Sequence, residues 1–373
     1  MIWIIVFMIV LVSVLALYSA GSTQAYRIYG GDTEGMIMRH AFLLVAGLVI
    51  MFAVHLLNYR LFARLSTALL LITIPLLIYT ISQGSEINEA ARWISIFGTT
   101  FQPSDLAKLT LMIYLAKLLT LRQDVIKDFT EGFLPALFWV TVICGLIAPS
   151  DLSTAILMFI ASVMVMFVAG VDIKYIGLLV LVAIMGLGIL SNTAKRSSTW
   201  KSRWDDYVNR MVDPDYVPNI QTTQANIAIA TSGLLGKGVG KSAQRHYLPG
   251  ADADYIYAII IEEYGLIGGA LIILLYLLLL FRSVSIVTVS KTFGALLASG
   301  LAFILVLQAM VNMGVTVGLL PVTGFTLPLI SKGGTSILIT CISLGIILSV
   351  SRDAMENKAK KRGKGLRTQL RFT

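Results

Sequence analysis

Apolar stretches of about 20 residues recur along almost the whole of this chain, and few folds can absorb that pattern. Runs of this kind cover 2–20, 40–57, 62–82, 102–121, 132–148, 152–170, 174–191, 254–281, 293–318 and 334–350. A helix needs about 20 such residues to cross the hydrocarbon core. Within lipid only a helix or a closed barrel can satisfy its own backbone polar groups. Composition points the same way. Of 373 residues 57% are hydrophobic and 13% are charged, with a mean hydropathy of +0.84. A soluble domain carries nearer a quarter of its residues as charge. The expectation is an all-α polytopic membrane protein of about ten transmembrane helices, most joined by short loops. One long extracytoplasmic loop, 192–253, falls between the seventh and eighth spans. The first run lacks a basic n-region and many spans follow it, so it reads as the first membrane helix and not as a signal peptide.

Orientation follows from lysine and arginine in short loops. The tail 352–373 holds eight basic and two acidic residues, a net of +6. With an even number of spans, both termini are then cytoplasmic. Arg60, Arg64, Lys117, Arg122, Lys127, Lys174, Arg282 and Lys291 all fall on that same side. Segments 83–101, 192–253 and 319–333 face outward. The chain thus divides into a transmembrane domain, 1–351, and a basic cytoplasmic tail, 352–373. Such a tail suits cytoplasmic retention and anionic membrane lipid. Nothing aromatic or folded accompanies it, so nucleic acid is not expected as a partner. The long loop has a net charge of +4 over 192–250, eight basic residues against four acidic ones. That suits an anionic ligand at the outer face, or a solvated loop lying against headgroups. Cys144 and Cys341 sit in apolar runs and read as small core residues. His40, His55 and His246 are scattered without ligand spacing, so a histidine-based metal centre is not expected.

Several polar groups stand where lipid should make them expensive. Asp254 lies at the mouth of the eighth span in LPGADADYIYAIIIEEYGLIGG. It is either a first-turn cap or a functional carboxylate, and position alone does not separate the two. Asp105 and Lys108 are three apart on one helical face, with Pro103 in the first turn, where its missing N–H costs nothing. Lys108 lies about 10 Å into its span. It either snorkels outward or pairs with Asp105 in a cavity. Asp151 after Pro149 reads mainly as a helix N-cap. Glu262 and Glu263, two turns beyond Asp254, need partners; pairing within the bundle is the default and a proton relay the alternative. Segment 312–336 combines Pro321, Pro328, three glycines near its end and Lys332. Broken backbone at membrane depth must be buried in protein or line a wet cavity, so this segment is a candidate wall of a substrate site. GLLGKGVGKS looks like a phosphate loop but has Leu235 where glycine is required, and no strand precedes it. Its glycines instead permit tight turns or close approach.

Taken in order, seven segments carry a resemblance: LYSAGS at 17–22, ARWISIFG at 91–98, QPSDLAKL at 102–109, PSDLSTA at 149–155, QTTQANIAIATSGLLGKGVGKSAQ at 221–244, LPGADADYIYAIIIEEYG at 248–265 and NMGVTVGLLPVTGFTLPLISKGGTS at 312–336. Together they resemble the SEDS family of bacterial membrane proteins, and GFTLPLIS with LYSAGS looks more like its division branch than its elongation branch. The resemblance implies a ten-helix fold and polymerisation of lipid II into glycan strands at the outer face of the cytoplasmic membrane, at the division site. It implies an essential carboxylate at Asp254. Its motifs nominate Gln102, Ser104, Asp105, Lys108, Asp151, Gln224 and Ser336 for substrate binding. Arg92, Lys108, Arg203 and Lys332 are the outer-side cations available to a diphosphate. The family's QPSE is QPSD here, a carboxylate one methylene shorter. SYGGSS is SKGGTS, with Lys332 in place of an aromatic, and Pro249-Gly250 lacks the usual acid. The implied partners are a class B penicillin-binding protein and other proteins of the division complex.

The chemistry fits those residues. The donor is a lipid-linked sugar diphosphate and the acceptor a sugar 4-hydroxyl. Undecaprenyl diphosphate leaves without a proton, so one base suffices, and a lone aspartate can serve. A single displacement inverts the α-linked donor to a β-1,4 linkage. No cofactor is certain, and a divalent ion, Mg or Mn, held by Asp254 or Asp105 is one option. Two other classes stay open: a transporter that flips lipid II through the same cavity, and a non-enzymatic scaffold of the division machinery.

Overall fold

A computed structural model describes residues 1–28, 33–83, 85–87, 90–96, 99–193, 196–213, 215–286 and 292–369. It is a helical bundle, and eight of its helices are long and apolar enough to cross a membrane. These spans are Ile2–Gly21, Ile37–Leu56, Arg60–Ser82, Phe129–Ile147, Leu152–Ala169, Ile256–Val284, Thr292–Thr316 and Gly334–Glu356. Two more helices take the expected places between them. One is α4 (Pro103–Leu121), less apolar because it carries Asp105, Lys108 and Lys117; the other is α7 (Ile173–Thr193). The ten-helix expectation and the described helices therefore agree, and the chain is a multi-pass membrane protein.

The remaining elements, in chain order, are α1 (Ile2–Ile28), α2 (Thr33–Leu56), α3 (Arg60–Gln83), α5 (Leu134–Ile147), α6 (Leu152–Ala169), α8 (Ser197–Val212), α9 (Ile220–Ala230), α10 (Ile256–Val284), α11 (Thr292–Thr316) and α12 (Gly334–Gln369). The expected boundary at 351/352 falls inside α12, which runs on from the span into the tail. The centre of the bundle is α11, packed on α4, α6, α10 and α12. α4 also packs on α3, α5 and α6, and its Leu111, Met112, Ile113 and Leu115 are fully buried. Phe7, Phe42 and Ile173, by contrast, are well exposed on the outside of the bundle, as lipid-facing side chains are. α2 and α12 approach closely through small residues. A Cβ on Gly47 would lie 2.7 Å from Cys341 Sγ, and one on Gly345 would lie 2.8 Å from the Met51 carbonyl oxygen. Small residues of this kind let membrane helices pack where no hydrophobic drive exists between them.

Three features differ from what the sequence indicated. Between α3 and α4 lies a small antiparallel sheet, β1 (Ser85–Ile87), β2 (Ala90–Ile96) and β3 (Thr99–Phe101), in that order. Strands β2 and β3 pair Ile94 with Phe101 and Ile96 with Thr99. The long loop holds α8 and α9. Ala225 and Ala228 of α9 bury against Ala20, Leu248, Tyr255 and Ile259.

The third difference concerns the eighth span, which is not one straight helix. Gly265 has φ 72° and ψ −175°, which breaks α10 after Tyr264. The break leaves carbonyls and amides without helical partners, and the loop 233–238 satisfies them. Lys237 N and Gly238 N donate to the Glu262 and Glu263 carbonyls at 2.9 and 3.0 Å. Leu266 N and Ile267 N donate to the Gly233 and Leu234 carbonyls at 3.1 and 3.3 Å. Buried backbone groups must be paired, and here the pairing comes from a loop. The approach demands glycine on both sides. A Cβ on Gly236 would sit 2.2 Å from the Glu263 carbonyl oxygen, and one on Gly265 would sit 2.1 Å from that of Leu234. Glu262 and Glu263 consequently cap this junction. The Glu262 carboxylate accepts from Lys237 Nζ at 2.6 Å and from Ser242 Oγ at 2.5 Å, and Glu263 accepts from Ser19 Oγ and from Ser242 N. Pairing within the bundle was the default expectation for both acids, and the partners come from the loop and from α1.

Candidate active site

Four helix N-termini converge on one polar cavity of about 460 Å³. α4 brings Gln102 and Asp105, α6 brings Asp151 and Thr154, the turn before α10 brings Asp254, and α12 brings Ser336. Each N-terminus presents the positive end of a helix dipole. The cations Lys108, Arg196, Arg203 and Lys332 also face the cavity.

Asp254 is not the cap of α10. The N-cap is Tyr255, which makes no side-chain cap bond. Asp254 stands one residue earlier, in a turn closed by Tyr255 N donating to the Gly250 carbonyl at 3.1 Å, with Gly250 at φ 78°. That turn is zipped to the segment after α11. Asn312 Nδ2 donates to the carbonyls of Asp254 and Phe325 at 2.7 and 2.6 Å. Ser331 Oγ donates to the Ala253 carbonyl at 2.6 Å, and Lys332 N donates to that of Asp252 at 2.9 Å. Lys332 Nζ completes the zip with an ion pair to Asp252 at 3.1 Å. Gly324, at φ 79°, keeps the space beside the carboxylate open; a Cβ there would lie 3.5 Å from Asp254 Oδ2. The segment 312–336 is thus the cavity wall that its prolines and glycines suggested. Its only described non-glycine residue in the left-handed region is the buried Leu329, at φ 65°. Such a conformation costs about 1–2 kcal/mol for a bulky residue, and here the zip holds it.

Lys108 pairs inward. Its Nζ lies 2.7 Å from Asp105 Oδ1 and donates to Gln308 Oε1 at 2.8 Å. The lysine side chain is only 12% exposed, so it does not snorkel. Asp105 Oδ2 is buried without a hydrogen-bond partner among the described residues. Gln308 in turn donates to the Thr326 carbonyl at 2.9 Å, which ties α4, α11 and the wall together. Asp151 is the N-cap expected of it: it accepts from Thr154 N at 3.2 Å and from Thr154 Oγ1 at 2.8 Å, and it also lines the cavity. On the far side Arg203 donates to the carbonyls of Val322 and Thr323 at 3.3 and 3.4 Å, and Arg196 donates to that of Ser150 at 2.8 Å. Tyr255, just outside the span, has its phenol pushed up mainly by burial.

Of the residues nominated from the motifs, Gln102, Asp105, Lys108, Asp151, Arg203, Asp254, Lys332 and Ser336 share this one cavity. Ser104 does not line it but accepts from Gln102 Nε2, which does, at 2.8 Å. Gln224 does not line it; Gln221, one turn earlier on α9, does. The backbone of Arg92 lies in β2, while its side chain is outside the described residues. Arg196, Gln221, Gln308 and Trp93 were not anticipated. A lone glutamine inside the apolar run of α11 was a usable signal for Gln308. Arg196 was one of eight loop cations with nothing to single it out.

Comparison with known proteins gives the arrangement its relatives. The model of the cell cycle protein family FtsW/RodA/SpoVE matches residues 1–356. The chain belongs to that family. It is 34% identical over 347 residues to the "Probable peptidoglycan glycosyltransferase FtsW" of Geobacter sp. (strain M18), covering 91% of this chain and 92% of that one. It is 32% identical to the stage V sporulation protein E of Bacillus subtilis (strain 168), over 94% and 95% of the two chains. The fold matches the rod shape determining protein RodA of Thermus thermophilus with a TM-score of 0.69 at 27% identity, over 95% and 96% of the chains. It matches a chain from a peptidoglycan synthase complex that coordinates polymerization and crosslinking with a TM-score of 0.71, also at 27% identity, over 95% and 97%. The ten-helix FtsW/RodA/SpoVE fold is therefore the frame of the cavity, and six of the seven ordered motifs contribute to its lining.

Proposed function

We propose that this chain polymerises lipid II into β-1,4 glycan strands, with Asp254 as the base and undecaprenyl diphosphate as the leaving group. One observation carries the reading: the Asp254 carboxylate shares a single cavity with four cations and four helix N-termini. That field favours an anion such as a diphosphate. In the reaction, Asp254 takes the proton from the acceptor 4-hydroxyl. The hydroxyl oxygen bonds to the donor anomeric carbon as the bond from that carbon to diphosphate oxygen breaks. The electron pair leaves on the diphosphate, where Arg196, Arg203, Lys108 and Lys332 offset the developing charge. Lys108 acts from its pair with Asp105 and is aimed by Gln308, so the Asp-for-Glu change still leaves the carboxylate within reach of its lysine.

Among the described residues no three His, Cys, Asp or Glu side chains form a metal cage. A magnesium or manganese ion fits the donors in another way. Mg²⁺ commonly takes one or two carboxylates plus substrate phosphates. Asp254 or Asp105 would be the protein ligand, and the ion would offset charge on the diphosphate.

The same reading places the cavity at the outer leaflet and both termini in the cytoplasm, by the short-loop lysines and arginines. It assigns the chain to septal wall synthesis, with a class B penicillin-binding protein as crosslinking partner. The FtsW relatives and the likeness to a peptidoglycan synthase complex support that assignment. The deciding experiment is glycan polymerisation from lipid II by the purified protein with its partner, wild type against Asp254→Ala. Polymer from the wild type alone supports the enzyme. Equal polymer from both removes Asp254 from the chemistry, and polymer from neither favours a scaffold.

A further inference from the structure

A second cavity, of about 560 Å³, lies at the opposite end of the bundle, where α1 begins, α2 and α10 end and α12 passes Leu348. Its wall is apolar: Ile2, Trp3, Ile286, Leu348 and Met355 line it. Its charged side chains are three cations, Arg282, Arg352 and Lys358, against one acid, Glu356. Arg282 is half-buried, and neither it nor Lys358 takes part in a hydrogen bond or ion pair with a described residue. A partly desolvated guanidinium without a counter-charge is costly, and an anion removes that cost. Arg352 donates to the carbonyls of Leu56 and Leu57 at 3.0 and 3.5 Å, and its Nε lies 3.9 Å from Glu356, so the acid neutralises only part of the cluster. Trp3 packs edge-on against His55 with ring centroids 6.3 Å apart, at the helix end where tryptophan anchors a membrane interface.

We propose that this cavity binds one anionic glycerophospholipid. Its phosphate sits among Arg282, Arg352 and Lys358, and its glycerol and first acyl carbons lie on Trp3, Ile286 and Leu348. The apolar wall selects a lipid over free phosphate, and the charge selects an anionic over a zwitterionic headgroup. The site is separate from the Asp254 cavity and does not depend on the glycosyltransfer reading.

Native mass spectrometry of the delipidated full chain in detergent tests it, with dioleoyl phosphatidylglycerol titrated against dioleoyl phosphatidylcholine. One phosphatidylglycerol should bind in preference to phosphatidylcholine. Arg282→Ala should weaken it about fivefold, the worth of one interfacial cation, and Arg282→Lys should restore most of the loss. Arg352 also holds the end of α2, so Arg352→Ala is read beside a melting curve, while Arg282 has no such bond to lose. Lys127, a cation of the same end outside the cavity, is the control, and Lys127→Ala should change nothing. Equal binding of the two lipids overturns the proposal, as does a loss with Lys127→Ala as large as with Arg282→Ala. Inorganic phosphate that binds with the same dependence on Arg282 overturns the lipid assignment.

Discussion

At the scale of single residues, the site turns on two carboxylates with different surroundings. Asp254 projects from a turn that backbone bonds fix, beside a glycine that keeps space open. If it is the base, Asp254→Asn should lower polymerisation by a factor of about 10² or more while the protein still inserts and folds. Asp254→Glu should also be severely impaired, because the longer side chain misplaces the carboxylate. Single-turnover assays on lipid II measure both. Asp105 instead holds Lys108 at 2.7 Å. Lys108→Ala should therefore cut activity far more than Lys117→Ala, whose Nζ only donates to the exposed Thr67 hydroxyl at 3.0 Å near the other end of α4. Equal, mild losses would make Lys108 a structural residue only. Both acids stood out in the sequence because a carboxylate in an apolar run is rare. What the sequence left open was direction. The cap and base readings of Asp254 separate only once Tyr255 is seen to occupy the cap. The snorkelling and paired readings of Lys108 separate only through Gln308, 200 residues away.

At the scale of elements, hydropathy located the spans, since length and apolarity are local properties. It could not find α8, α9 or the small sheet. α8 does carry a helical period, with Trp200, Trp204, Tyr207 and Met211 on one face, but its low overall apolarity hides it from a hydropathy reading, and α9 and the strands are too short to stand out from a solvated loop. Nor could it find the break in α10, because Gly265 is unremarkable until the loop that fills the gap is known. That junction makes its own prediction. Gly236 and Gly240 both have φ in the left-handed region, 78° and 75°, so alanine meets an unfavourable φ at both. Only at Gly236 would the new Cβ meet backbone, 2.2 Å from the Glu263 carbonyl oxygen; at Gly240 nothing lies within 4 Å. Gly236→Ala should lower the melting temperature of the purified protein by at least about 5 °C more than Gly240→Ala does. Its effect on polymerisation should follow the unfolded fraction. Similar melting temperatures for the two variants would mean that the loop does not hold the kink.

At the scale of the whole molecule, the argument concerns sides. The cavity sits at one end of the bundle, among the N-termini of α4, α6 and α12 and the turn before α10. Below it α4 and α11 pack on each other, and Leu111 and Met112 of α4 and Leu297, Ala298 and Leu301 of α11 are buried and apolar. A polymerase needs only the one end. A transporter of lipid II needs a polar path through the other half as well, and in this conformation the apolar centre blocks it. Detergent separates the two activities because it removes the sides. A polymerase keeps its product there, a glycan strand longer than its substrate. Transport has no readout in detergent, because the lipid before and after is the same molecule. The purified chain with the proposed class B partner should therefore make glycan strands in detergent, dependent on Asp254 and stimulated by the partner. A complex that makes no polymer in detergent but moves lipid II across a sealed vesicle would show that the bundle opens along α4 and α11, and the cavity would then be the outer vestibule of a flippase.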